Sequence, residues 1–246
     1  MLYTSKKCLI SIILSINQNK HAKLINQKLF ISSYFIIIIY ACPCFGKGWA
    51  LFQMKRAAVF IDGNNFYFGL RKLFGKNKSL KNFDFEGFAK FLAGKDSIAA
   101  IYYYNALLDK ENNPRKYESQ KEFFEKLKQI PNFHLVLCKL LKRNITGTDK
   151  FYYIIKEDDI HMAVDMVENA CDDNFDITIL VSGDGDFVPA VRSVKKKGKI
   201  VKNIYFKNSS SRNLKNFCDE SLELTKDILN QFFKVFQPKK DNKNSN

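Results

Sequence analysis

The first 53 residues contain six lysines but no Asp or Glu, in a chain of 246 residues that otherwise carries 25 acidic side chains. Histidine is scarce throughout, at three positions (His21, His134 and His161), and none of the six cysteines stands in a Cys-x-x-Cys pair. A structural zinc centre draws four ligands from such residues at short spacings, so both shortages argue against one. Cys138 and Cys171 lie in apolar contexts and read as buried thiols of a reducing, cytoplasmic compartment.

What is present is positive charge and a large apolar fraction. Lys and Arg total 40, giving a formal charge of +15, and 46% of residues are hydrophobic. The charge favours a polyanionic partner, nucleic acid or an anionic membrane surface, and the apolar fraction excludes a disordered chain. Beyond Met54 there remain 34 basic and 25 acidic residues, a net of +9, so the chain has two compositional parts. In the first part, residues 29–45 form an almost uncharged apolar run, slightly short of the roughly 20 residues of a spanning helix. Three readings stand for residues 1–53: a start site that truly lies at Met54, a hydrophobic anchor or signal-like segment that would bring the chain to a membrane, or a structured extension. The domain is expected over 54–236, with a polar tail at 237–246.

From Met54 the pattern alternates between strands and helices. Ala57 to Ile61 reads as a buried strand, and helices are expected at 66–74 and, after an Asp84 cap, at 85–92. A strand at 97–104 is followed by a helix at 117–129, stopped by Pro131. The strand at 133–142 turns back through 144–148 into 151–155. Asp158 or Asp159 opens a helix to about Ala170, and a strand at 177–182, a helix to Lys197 and a strand at 200–206 follow. A last helix is expected over 221–236. This alternation implies a three-layer α/β fold around a mainly parallel sheet.

Acidic residues gather where such a sheet keeps its chemistry, at the C-terminal ends of strands. Asp62 ends the first strand in Asp62-Gly63-Asn64-Asn65, and Asp184 and Asp186 follow the later strand in Ser182-Gly183-Asp184-Gly185-Asp186. Neighbouring strands lie about 4.8 Å apart, so these acids, with Asp159, can converge within reach of one ion. An all-carboxylate set suits Mg²⁺ or Mn²⁺.

Phe60-Ile61-Asp62-Gly63-Asn64-Asn65, Lys156-Glu157-Asp158-Asp159-Ile160-His161-Met162-Ala163-Val164-Asp165-Met166, Val181-Ser182-Gly183-Asp184-Gly185-Asp186-Phe187 and Lys197-Gly198-Lys199, in that order, resemble the signatures of NYN domains in the PIN-like nuclease superfamily. The resemblance covers roughly 55–206. It implies a PIN-like, Rossmann-like fold and a metal-dependent ribonuclease, with Asp62, Asp159, Asp184 and Asp186 at the catalytic, metal-holding positions. Asn65 and Ser182 match supporting polar positions. Asp165 lies about 600° around the helix from Asp159, off the same face, and reads as a supporting acid. The family's small residue after the Lys is Glu157 here, and Asp158 replaces an apolar residue. Alignment on Ala163-Val164-Asp165-Met166 points to Asp159 rather than Asp158.

Each motif has a plainer reading. Asp62 and Asp184 could be helix caps, His161 a helix-surface residue, and the tyrosines at 102–104 and 152–153 core side chains rather than base-stacking platforms. Arg115, Lys116, Lys142, Arg143, Lys150 and Lys156 are expected to flank the acids and contact phosphates of RNA, with DNA as a second acceptable polyanion. Two rivals remain: a noncatalytic module of the same fold that binds RNA or protein, and a small-molecule phosphohydrolase. Against the latter, position 64 is Asn64, so the first strand lacks the Asp-x-Asp that a covalent phosphoenzyme would use.

Overall fold

The computed structural model describes residues 54–233; the extension at 1–53 and the tail at 237–246 lie outside the described residues. Strand β1 (Arg56–Asp62) is apolar from Ala57 to Ile61 and buried on both faces, as the centre of a parallel sheet requires. It pairs in parallel with β2 (Ser97–Ala106) on one side and with β5 (Ile177–Val181) on the other. Outside β2 lie β3 (Phe133–Asn144) and β4 (Phe151–Lys156); outside β5 lie β6 (Ile200–Tyr205) and β7 (Glu220–Glu223). Every pairing is parallel except the β3–β4 hairpin.

Helices cover both faces, each matched by alternate residues of the strands. Val59 and Ile61 of β1 and Tyr103 of β2 point to one core, with Phe66 of α1 (Gly63–Phe74), Phe85 and Phe88 of α2 (Phe85–Ala93) and Phe123 of α3 (Pro114–Leu127). Phe60 and Tyr104 point to the other, with Met162 and Met166 of α4 (Asp158–Cys171), Val191 of α5 (Val188–Lys196) and Leu214 of α6 (Arg212–Phe217). The chain leaves β1 toward β2 and later returns to β1's opposite edge as β5. That reversal opens a crevice at the C-terminal ends of β1 and β5. Their N-terminal ends are clamped: the Arg56 backbone N–H, Nε and Nη2 donate to the Asp176 carboxylate at 2.8, 3.2 and 2.9 Å.

Five expectations need correction. Helix α1 begins at Gly63 instead of 66, because Asp62 caps it through the Asn65 N–H. Helix α3 begins at Pro114 instead of 117, because Pro takes the first turn without losing a bond and Asn113 caps it through the Lys116 N–H. The helix expected over 221–236 is divided: its start belongs to strand Glu220–Glu223, which satisfies the free edge of β6, helix α7 spans only Lys226–Asn230 after a Thr225 cap, and residues 234–236 lie outside the described residues. Cys171 is exposed, since it falls on the outer side of α4, opposite the buried Met162, Met166 and Ala170; Cys138 is half-buried. The expected strand residue Ser182 lies just past β5, where its side chain is freed for the site.

Strand β4 passes into α4 through Glu157, whose φ of 75° is left-handed and whose side chain makes no cap bond. A side chain in that conformation costs roughly 1 kcal/mol that glycine avoids. Glu157→Gly is therefore expected to raise the unfolding free energy by up to about 1 kcal/mol, less the extra unfolded-state freedom of glycine, and with it the midpoint of chemical denaturation. An unchanged or lower midpoint would show that the side chain compensates for its backbone.

Candidate active site

Asp62 is both the end of β1 and the N-cap of α1. Its Oδ1 accepts from the Asn65 N–H at 2.8 Å, and its Oδ2 accepts from the Ser182 hydroxyl at 3.1 Å. The plainer reading of this motif as a cap is thus correct for the local geometry. Ser182 accepts in turn from the Asp184 N–H at 3.2 Å, and its carbonyl accepts from Asn203 Nδ2 of β6 at 2.7 Å. Asp184 caps a short 3-10 turn (Gly185–Phe187) by accepting from the Asp186 N–H at 2.9 Å. One polar chain, Asn203–Ser182–Asp62, therefore runs across the ends of three adjacent strands.

The segment after β6 closes the arrangement. Ser211 N–H donates to the Gly183 carbonyl at 2.9 Å, and Ser209 Oγ lies 3.3 Å from Asn65 Oδ1. A Cβ on Gly183 would lie 1.9 Å from the Ser209 carbonyl oxygen, so only glycine permits this approach. Between these walls is a cleft of about 320 Å³ lined by Asp62, Asp158, Asp159 and Asp184, with Asn65, Lys72 and Lys207.

Placement of the anticipated residues is uneven. Asp62, Asp159, Asp184 and Asn65 line the cleft, as does Asp158, while Ser182 lies buried beneath it. Asp186 is exposed at the rim and adds repulsion to Asp159. Asp165 lies away from the cleft and accepts from the Tyr104 hydroxyl at 2.7 Å, tying α4 to β2. His161 is exposed on α4. Tyr103 and Tyr104 are buried in the two cores; Tyr152 is half exposed.

None of the six anticipated cations lines the acidic cleft. Arg115 and Lys116 occupy the first turn of α3, and Lys142, Arg143, Lys150 and Lys156 are exposed on the β3–β4 hairpin, with Lys142 Nζ 4.0 Å from the Phe151 ring centre. Lys72 and Lys207 take that position. Lys72 follows Asn65 by seven residues on α1, two turns along the same face, and Lys207 immediately follows Phe206 beyond the end of β6. Strand ends and helical spacing bring both positions to this end of the sheet, but they do not distinguish these two lysines from the others near it.

Electrostatically the cleft is unbalanced. Burial, set against the Asn65 and Ser182 hydrogen bonds and reinforced by repulsion from Asp159 and Asp158, pushes the Asp62 carboxyl up to about 6. Partial burial and repulsion from Asp158, Asp184 and Asp186 push Asp159 up to about 6 as well. All the charged donors are carboxylate oxygens, the chemistry that hard divalent cations select. Among the described residues, no three His, Cys, Asp or Glu side chains already converge on one ion position. The donor set fits such an ion in kind, and Asp158 and Asp159, which accept no side-chain hydrogen bond among the described residues, are the ones free to turn toward it.

The NYN domain family model matches residues 56–225, which takes in every strand and the whole cleft. The chain belongs to the NYN family. Its NYN domain thereby falls in the PIN-like nuclease superfamily, whose members generally act on nucleic acid and use divalent metals. The chain is 26% identical over 190 residues to the Low amplitude and bright protein LabA of Synechococcus elongatus, covering 76% of this chain and 92% of that protein. It is 35% identical over 94 residues to an uncharacterized protein of Methanocaldococcus jannaschii, covering 34% of this chain and 39% of the other. A crystal structure of a protein of unknown function from Vibrio parahaemolyticus has the same fold, with a TM-score of 0.54 and 23% identity over 73% of this chain and 98% of that one. No helix among the described residues is long and apolar enough to cross a membrane.

The raised carboxyls make stability depend on pH in a definite sense. A group whose folded pKa exceeds its unfolded value binds more protons when folded, so ionising it costs stability. For Asp159 the cost is absent below about pH 4, grows to about pH 6 and is complete above it. In chelator at pH 7.5, Asp159→Asn is expected to stabilise the protein by about 1 kcal/mol after allowance for solvent screening, roughly 2–4 °C in Tm, with no gain at pH 4. Equal shifts at both pH values would mean that charge repulsion is not the cause.

Proposed function

We propose that this NYN domain is a ribonuclease that hydrolyses RNA phosphodiester bonds in the acidic cleft with the help of Mg²⁺ or Mn²⁺. The observation that carries the reading is the joining of Asp62, Asp158, Asp159 and Asp184 in one small cleft bordered by Lys72 and Lys207. So many carboxylates facing one another are costly unless a cation offsets them, and a cleft of acids alone would repel a phosphodiester. When bound, a divalent ion supplies Lewis-acid polarisation of the phosphodiester and activation of water at neutral pH.

The chain's own groups divide the remaining work. Asp62 is held by two hydrogen bonds and forms the fixed wall of the ion position. Asp159 and Asp184 complete that position from α4 and the loop after β5, with Asp158 beside them and Asp186 at the rim. Lys72 and Lys207 hold the phosphate groups flanking the scissile one, and Asn65 offers its side-chain amide to a phosphate oxygen. Ser182 and Asn203 position Asp62 without touching substrate. The half-exposed and exposed thiols accord with a cytoplasmic protein.

A second reading is favoured by the failure of three acids to converge on an ion position among the described residues: a domain that binds RNA without cutting it. The test is incubation of end-labelled single-stranded and structured RNA with the protein in Mg²⁺, Mn²⁺ or chelator. Cleavage is expected only with metal, and the Asp62→Asn, Asp184→Asn double variant is expected to lose more than about a hundredfold. Full cleavage by that variant sinks the proposed site. Salt-sensitive binding without cleavage in any metal supports the noncatalytic reading.

A further inference from the structure

Next to the acidic cleft runs a second, larger groove of about 600 Å³, between α1, the segment leading to α2, and α3. The two share Asn64, Phe68 and Ile155 in their linings, so they adjoin. Their charges are opposite. The second groove is lined by Arg71, Lys76, Lys78, Lys81 and Lys116 and by no Asp or Glu. Lys81 is partly spent on Glu122 at 3.0 Å, whereas Lys76 and Lys116 are exposed and form no ion pair among the described residues.

The groove also carries aromatic surface that the fold does not use. Phe68 is 55% exposed and Tyr67 40%, on a helix whose other aromatic residues are packed into the core. The Arg71 guanidinium lies 5.8 Å from the Tyr67 ring centre, a cation beside a flat face. The polar floor is occupied by the protein itself. Gln120 donates to the Ala106 carbonyl at 3.0 Å and accepts from the Leu108 N–H at 2.8 Å, while Asn105 accepts from the Ala106 N–H at 2.7 Å. Little is left there to read base edges.

We propose that this groove is the track for a single strand of RNA on one side of the bond to be cut. Lys76 and Lys116 take its phosphates and Phe68, at the junction of the two cavities, stacks an unpaired base. The proposal rests on the ribonuclease reading for the cleft and adds the substrate class: an oligonucleotide, single-stranded and read with little sequence preference, since stacking and phosphate contact are indifferent to base identity. A duplex hides its base faces and offers Phe68 nothing to stack on. A small phosphate ester would occupy the acids and leave the basic groove unused.

The test is fluorescence anisotropy of the full chain with a labelled 12-nucleotide single-stranded RNA and a blunt RNA duplex of about 12 base pairs, in chelator, beside cleavage assays in Mn²⁺. The single strand is expected to bind at least tenfold more tightly than the duplex. The Lys76→Glu, Lys116→Glu double variant is expected to bind at least tenfold more weakly and to lower the salt slope by roughly 1.4, and Phe68→Ala to weaken binding about fivefold or more. All three positions are exposed, and an unchanged Tm checks that each variant is folded. Equal affinity for duplex, or variants that bind as wild type does, overturns the track. Groove-dependent binding without cleavage overturns the ribonuclease and leaves the track standing; metal-dependent cleavage undiminished by the groove variants does the reverse.

Discussion

The hydrogen bond from Ser182 to Asp62, buried where β1 and β5 end side by side, organises everything that faces the cleft. It joins residues 120 positions apart, and it exists only because the chain returns to the opposite edge of its first strand. Asp62 cannot take its place without the rigid strand behind it. Ser182 cannot take its own without Asn203 below, and the loop that carries Asp184 turns on the same serine. A buried carboxylate is normally a liability. Here it is held by an N–H and a hydroxyl, which offset part of the desolvation and fix its direction.

The same arrangement explains why acids and bases occupy different parts of the surface. Strand ends and the first turn of α4 bring carboxylates to the switch point of the sheet, and the helices of one face bring lysines beside it. A nucleic acid strand needs both: attraction along its length and, at one bond, a place where negative charge is concentrated enough to demand a cation. The left-handed Glu157 sits where the antiparallel hairpin passes into α4, so local backbone strain is found next to the two cleft acids whose carboxylates accept no hydrogen bond among the described residues.

Much of the fold was legible in the chain. The run Ala57–Ile61, the capped helices after Asp62 and Asp84, and the turn at Gly198 all carry local signals strong enough to survive tertiary packing, and the ordered acidic motifs indicated both the family and the end of the sheet that matters. Less legible were features decided by distant partners. Glu220–Glu223 becomes a strand because β6 leaves an edge to be paired, a fact absent from its own sequence. Cys171 lies in an apolar stretch, but the rotation of α4 against the sheet turns it to solvent.

By itself, then, the sequence determined the alternation of strands and helices, the parallel character of the sheet and the acids that end its strands, because each depends on periodicity or on residues close together in the chain. The tertiary structure alone decided which of those acids share a cleft: Asp62, Asp158, Asp159 and Asp184 line it, Asp186 stays at its rim, and Asp165 turns away to Tyr104. It also decided which cations stand beside them, replacing the hairpin lysines with Lys72 and Lys207. Charge balance depends on distances across strands and between helices, and those distances are set by strand order and helix rotation, which no local pattern encodes.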